Sequence, residues 1–224
     1  TSAIEIEYDG DGVEYWVQYS TVDAYPGYEW HDLTIIWTTG KAVTQSGLLP
    51  NKRMYYQVKT RNNAGVESNW SDVLSTATWA SAPGVSGVEV DVSSVTVRWT
   101  QGSPGNPAGT SYQARISSFG YGAGVVGTSY WTIDKVEHTF DSNISANTSY
   151  YIDVHARNEN GVETEWVGMP VKYTLMSNPT AYWVFVGESS ITVKAVREDY
   201  GTELNNLGQG LSRVVFYLNG VGYA

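Results

Sequence analysis

The sequence predicts an all-β protein built as a tandem of two-sheet sandwiches, and three observations carry that reading. The 224 residues include 9 Trp, 17 Tyr and 4 Phe alongside 23 Gly, and β-prone aromatics mixed with turn formers favour strands over helices. Short runs alternate apolar and polar residues, the period of a strand with one buried face. The chain also matches itself at a shift of 96 residues, which marks a repeated module.

The repeat is in register over two separate blocks. Residues 50–70 fall on 146–166 with 9 of 21 positions identical, among them Asn51/Asn147, Tyr55/Tyr151, Arg61/Arg157, Asn62/Asn158, Gly65/Gly161 and Trp70/Trp166. Residues 83–99 fall on 179–195 at the same shift, with Pro83/Pro179, Val88/Val184, Ser94/Ser190 and Val97/Val193 coinciding. Turn-forming stretches at 81–84 and 176–180 separate the β runs, as linkers between compact units do. The predicted units are therefore 1–81, 82–178 and 179–224, the middle one complete.

In the complete unit, residues 87–92 predict a first strand and 94–100 a second, with Val95, Val97 and Trp99 on one face and Thr96 and Arg98 on the other. The Gly/Pro-rich segment 101–109 cannot be strand interior. Tyr112, Ala114 and Ile116 alternate inward on the next strand, and 125–133 and 135–140 carry further β-prone residues. Tyr150, Ile152, Val154 and Ala156 line the inside of a strand whose outside is Tyr151, Asp153, His155 and Arg157. A hairpin turn at 158–161 leads to a last strand over 167–175, with Gly161 available for a positive φ. Seven short strands in one such unit are the footprint of an immunoglobulin-like sandwich.

Residues 94–99 (SVTVRW), 147–156 (NTSYYIDVHA) and the following GVETEW segment resemble, in this order, fibronectin type III domains of the kind found in tandem on bacterial secreted and surface proteins. The resemblance implies that Trp99 is the central core aromatic. Tyr150 then stands at the corner position whose hydroxyl ties back to the backbone just upstream. Tyr8 takes the core position in the first unit and Ala195 in the third, while Met54 occupies the first unit's corner. Trp70 and Trp166, repeated beside the hairpin, are assigned with them to the structural core. Residues 213–220 also look like a strand and turn of bacterial immunoglobulin-like domains.

Ile4, Ile6 and Tyr8 align with Val95, Val97 and Trp99, so the first unit is expected to lack its first strand and the last to be an N-terminal part. A piece of a longer tandem protein explains both ends. The alternative is that another chain supplies the missing strands, so that unpaired end strands mediate self-association.

A formal net charge of −10, from 13 Lys and Arg against 23 Asp and Glu, argues against nucleic acid and anionic membranes as partners. The absence of Cys excludes disulfides, thiolate metal sites and Cys nucleophiles, and no apolar run reaches the ~18 residues of a spanning helix. His31, His138 and His155 stand apart from any nucleophile or metal-binding motif, so the chain is read as non-enzymatic and free of cofactors. Asp9 and Asp11 are the candidate metal ligands, since acids at i and i+2 present oxygens to a hard cation, although an Asp-Gly turn explains the segment better and no metal is expected. Trp16, Tyr55 and Tyr151 are the candidate ligand-binding residues, because outward rings on a flat sheet stack on sugars or anchor a protein, although covering neighbouring side chains or packing in a junction between units explains them better. Asn69, Asn143 and Asn147 head Asn-x-Ser/Thr sequons. The function expected is a spacer or adhesion segment, extracellular or at the cell surface, that holds other domains on a semi-rigid rod. The alternatives are a carbohydrate-binding accessory module, with a polysaccharide partner, and a filament subunit joined by strand exchange.

Overall fold

The computed structural model describes residues 2–10, 13–22, 27, 29–177, 180–186, 191–196, 216–218 and 221–223, the last four segments by their backbone. Six strands come first: β1 (Ser2–Glu7), β2 (Glu14–Ser20), β3 (His31–Asp32), β4 (Ala42–Leu48), β5 (Arg53–Arg61) and β6 (Leu74–Ala77). Nine follow: β7 (Gly84–Val90), β8 (Val95–Thr100), β9 (Ser111–Gly120), β10 (Ala123–Thr128), β11 (Thr132–Ile133), β12 (Glu137–Phe140), β13 (Ser149–Arg157), β14 (Val167–Gly168) and β15 (Lys172–Tyr173). The hairpins β16 (Thr180–Val186) with β17 (Ile191–Val196) and β18 (Phe216–Leu218) with β19 (Val221–Tyr223) complete the described strands. Among the described residues every regular element is a strand, as the alternation predicts.

The second set of strands makes a sandwich. One sheet has the order β12–β8–β7 and the other β10–β9–β13–β14, with β11 on β9 and β15 on β13. Val95, Val97 and Trp99 of β8 meet Tyr112, Ala114 and Ile116 of β9 and Tyr150, Ile152, Val154 and Ala156 of β13 in one buried cluster. Trp99 is only 3% exposed, and burial of such a ring stabilises by about 3 kcal/mol. The Ser145 N–H donates to the Tyr150 hydroxyl at 2.8 Å, the tie that the corner position implies.

The first set repeats the plan with three strands fewer, six against nine. β1 pairs with β4, and β3–β2–β5–β6 form the facing sheet. Tyr8, Tyr15 and Val17 are buried between them, with Ile6, Leu33, Val43 and Val58 packed against the cluster. Tyr8 fills the place of Trp99 and donates its hydroxyl to the Gly40 carbonyl at 2.7 Å. Met54, at the corner, is buried without such a tie.

Some strands differ from expectation for local reasons. The expected strand 167–175 is two short pieces, because Pro170 between them has no N–H to give the ladder. The stretch 125–133 likewise splits, where the Ser129 hydroxyl accepts from the Ala114 N–H at 3.0 Å and a side chain replaces a ladder partner. The hairpin turn at 158–161 forms as expected, with Gly161 at φ 80° and its repeat mate Gly65 at 77°. Trp70 and Trp166 are a correction. They belong to neither buried cluster but lie half-buried on the outer face of the sheets, where they do other work. The core role given to Ala195 concerns a side chain outside the described residues.

Candidate functional site

Side chains converge in two places. The first is a stack of rings and cations on the outer face of the sheet carrying β13. Trp131 precedes β11, and Trp166 precedes β14 across the hairpin turn. His155 of β13 projects between them, its ring 4.6 Å from Trp131 and stacked at 3.5 Å and 16° on Trp166. The Arg157 guanidinium lies over Trp131 at 4.3 Å and that of Arg115 over Trp166 at 4.0 Å. Two groups this near the centre of one indole must take opposite faces, so both faces of Trp166 are filled. Arg115 is itself held by buried Asp153 at 2.8 Å. The first sandwich repeats the device with Lys59 for His155: Arg61 sits over Trp37 at 4.5 Å, and Lys59 lies 5.5 Å from Trp37 and 4.9 Å from Trp70. Cation–π contacts of this kind contribute about 0.5–2 kcal/mol each.

His155 is 2% exposed, and burial holds its imidazole below its ordinary range, an effect opposed by Glu163 and reinforced by Arg115 and Arg157. Its Nε2 meets the Gln113 amide oxygen at 3.1 Å. The ring is thus enclosed by two indoles, with the Glu163 carboxylate 3.7 Å from its Nδ1. His31, exposed, lies 5.4 Å from the ring of Tyr19, and His138 packs on Phe140 at 4.5 Å.

The candidate ligand-binding residues do not come together. Trp16 is half-buried, its indole N–H bound to Asp32 at 2.7 Å and its ring edge-on to Trp37 at 5.6 Å. Tyr55 is not an outward ring on an open face: it is 8% exposed, as buried as its neighbours Met54 and Tyr56, because this end of β5 is covered on both sides. Tyr151 is half-buried and meets Tyr121 edge-on at 5.4 Å. Stacking on a sugar needs an open ring face, and the aligned indoles have given theirs to cations. Of the candidate metal ligands, Asp9 accepts from the Lys41 ammonium at 2.9 Å and the Gly10 N–H at 2.8 Å, and this holds its carboxyl below the usual range. An ammonium thus stands where a cation would bind. Asp11 lies outside the described residues.

The second convergence joins the two sandwiches, and reading the sequence alone missed it. Asn51 donates to the Thr110 hydroxyl at 2.9 Å and accepts from the Glu159 N–H at 2.8 Å. Asn158 donates to the carbonyls of Ala77 and Thr78 at 3.4 and 3.2 Å, while its side-chain oxygen closes its own turn through the N–H groups of Asn160 and Val162. Asn106 grips the linker at both the N–H and the carbonyl of Ser81, at 2.7 and 2.8 Å. Arg53 pairs with Glu159 at 2.8 Å on the rim. All three asparagines are buried. The sequence carries no separate signal for it, since the repeat mates are kept for their turns: Asn51 and Asn147 both stand at positive φ, and Asn62 closes its turn as Asn158 does.

No family model matches the chain, and no curated protein matches it. Among solved structures it is similar to the FN1–FN3 domains of chicken CNTN1 (contactin), at 18% identity over 77% of this chain and 62% of that one, with a TM-score of 0.34. It is also similar to a two-domain fibronectin type III segment of chicken tenascin, at 11% identity over 77% of this chain and 93% of that one, with a TM-score of 0.43. The chain spans 62% of the first of these neighbours.

Proposed function

We propose that this chain is a non-catalytic spacer segment of a larger extracellular or surface protein, made of units 1–81, 82–178 and 179–224, that holds neighbouring domains at a set distance and angle. The observation that carries the reading is the asparagine junction. Three buried amides bind across the interface in defined directions, and a joint of this kind resists bending far better than a solvated linker. The acidic balance, −10 overall, keeps such rods apart. The ring-and-cation stacks support the same reading, since they brace the sheets.

The test uses the absence of Cys, which makes two introduced thiols the only labelling sites. Spin labels at Asn63→Cys and Asp141→Cys, both exposed, should report one narrow distance distribution between the sandwiches. A broad distribution, as from a freely jointed pair, would overturn the spacer reading.

A further inference from the structure

The hairpin turn that docks on the first sandwich carries a chemically reactive pair, Asn160 followed by Gly161. Among the described residues Asn160 is the one asparagine that a glycine follows. Its repeat mate is Ala64, and the turn around Ala64 closes in the same way. Gly65 and Gly161 stand at φ 77° and 80°, and each donates its N–H at 2.9 Å, to the carbonyls of Asn62 and Asn158 respectively. The turn therefore has no need of an amide at this place. What Asn160 adds is reach across the joint: its amide nitrogen donates to the Thr76 hydroxyl at 3.1 Å, and its amide oxygen accepts from Arg53 at 3.4 Å.

We propose that Asn160 is a site of spontaneous deamidation, and that its conversion loosens the joint between the two sandwiches. Residues 159–161 are exposed, and a Cβ at Gly161 would meet nothing within 4 Å, so solvent base reaches the Gly161 N–H unshielded. The Arg53 guanidinium on the amide oxygen draws electron density from Cγ and stabilises the charge that gathers on that oxygen during attack. The Gly161 nitrogen gives its proton to solvent and bonds to Cγ of Asn160. The Cγ–Nδ2 bond then breaks, Nδ2 takes up a proton and leaves as ammonia, and a cyclic imide remains. Water opens the imide at either carbonyl. Cleavage of the new bond yields aspartate, with the main chain restored beside Arg53. Cleavage of the old peptide bond yields isoaspartate, whose main chain runs through Cγ and is one methylene longer. That methylene enters the loop that Asn158 closes by accepting from Asn160 and Val162 at 3.0 and 2.8 Å. Since Asn158 also donates to the carbonyls of Ala77 and Thr78, a turn that recloses around the longer chain displaces the bonds across the joint. The bond from Gly161 to Asn158 must open before attack, which makes the folded chain slower than a free peptide.

The experiment incubates the full chain at mildly alkaline pH and body temperature and follows each asparagine by peptide mass spectrometry, with fragmentation that separates aspartate from isoaspartate. The amide of Asn160 should be lost with first-order kinetics while that of Asn63, exposed in the matching turn, persists. Equal loss at Asn160 and Asn63 overturns the proposal. So does an intact Asn160 amide in the folded chain when the free peptide of residues 157–163 has fully converted, since the joint would then shield it. The modification stands on the chemistry of the turn alone, and only its effect on the joint rests on the spacer reading. For that effect, the chain spin-labelled at Asn63→Cys and Asp141→Cys should show its distance distribution broaden in step with isoaspartate. Adding Asn160→Ala, which gives this turn the residue of its mate, should hold the distribution constant through the same incubation. A distribution that stays narrow while isoaspartate accumulates overturns the loosening. One already broad before incubation overturns the spacer reading and the loosening together, while the spectra still decide the modification.

Discussion

Replacing Asn158 by Ala removes two things that a single control separates. The side-chain oxygen of Asn158 closes its turn by accepting from Asn160 and Val162 at 3.0 and 2.8 Å, and its amide nitrogen reaches the carbonyls of Ala77 and Thr78 in the other sandwich. Asn62, its repeat mate, closes the same turn by accepting from Ala64 and Val66 at 2.9 and 3.0 Å, and its amide crosses no junction among the described residues. Asn62→Ala therefore measures the turn alone. A buried amide lost from two carbonyls costs about 1 kcal/mol as a net hydrogen bond, plus up to about 2 kcal/mol if the carbonyls stay dry and unpaired. Asn158→Ala should thus destabilise the full chain by about 1–3 kcal/mol more than Asn62→Ala, read by urea denaturation. Asn158→Asp sharpens the comparison, because a carboxylate still accepts the turn bonds but sets negative charge against the two carbonyls. Equal losses in Asn158→Ala and Asn62→Ala would refute the reasoning, for they would show that the cross-junction bonds contribute nothing.

Three further outcomes follow from the second sandwich. Tyr150→Phe removes the acceptor of the Ser145 N–H and should cost about 1 kcal/mol in denaturant unfolding. Asp153→Ala leaves Arg115 facing a buried gap where it had a partner at 2.8 Å, and should cost about 3 kcal/mol, the low end for a broken buried pair since Arg115 is partly exposed. His155 titrates below its ordinary 6.5 when folded, so the unfolded chain binds the proton first. Its contribution is present above about pH 6.5 and is lost as pH falls from there toward the folded value. His138, also lowered by burial, has the same sign. His155→Phe should therefore flatten the fall in stability between about pH 7 and 5 in part, and an unchanged slope would contradict the buried neutral ring.

The core was legible because strand alternation is a direct image of burial. Val95, Val97 and Trp99 could only point one way, and a wrong register would have turned them all to water. The tie of Tyr150 was legible only through the resemblance, which implies a corner tyrosine bound just upstream, and the structure places its partner at Ser145. Trp70 and Trp166 were misassigned because a large apolar ring after a turn carries no period to say which face it takes. Their matching positions relative to Arg61/Arg157 and Lys59/His155, together with the Trp-Thr pairs at 37–38 and 131–132, held the signal for an outer stack. Tyr55 misled because alternation assumes that one face is bare, whereas Met54, Tyr55 and Tyr56 are all covered. The junction could not be read at all from local pattern, because Asn51 and Glu159 meet only after both sandwiches have folded.

The most direct test of a fixed joint is to align the full chain weakly in a dilute medium and measure residual dipolar couplings for amides of β2 and β5 and, separately, of β9 and β13. Two sandwiches locked by Asn51, Asn106 and Asn158 should report one alignment tensor, equal in magnitude and orientation within error. Tensors of clearly different magnitude would mean that the two halves tumble on their own, and the chain would then be a string of beads and no spacer of set length.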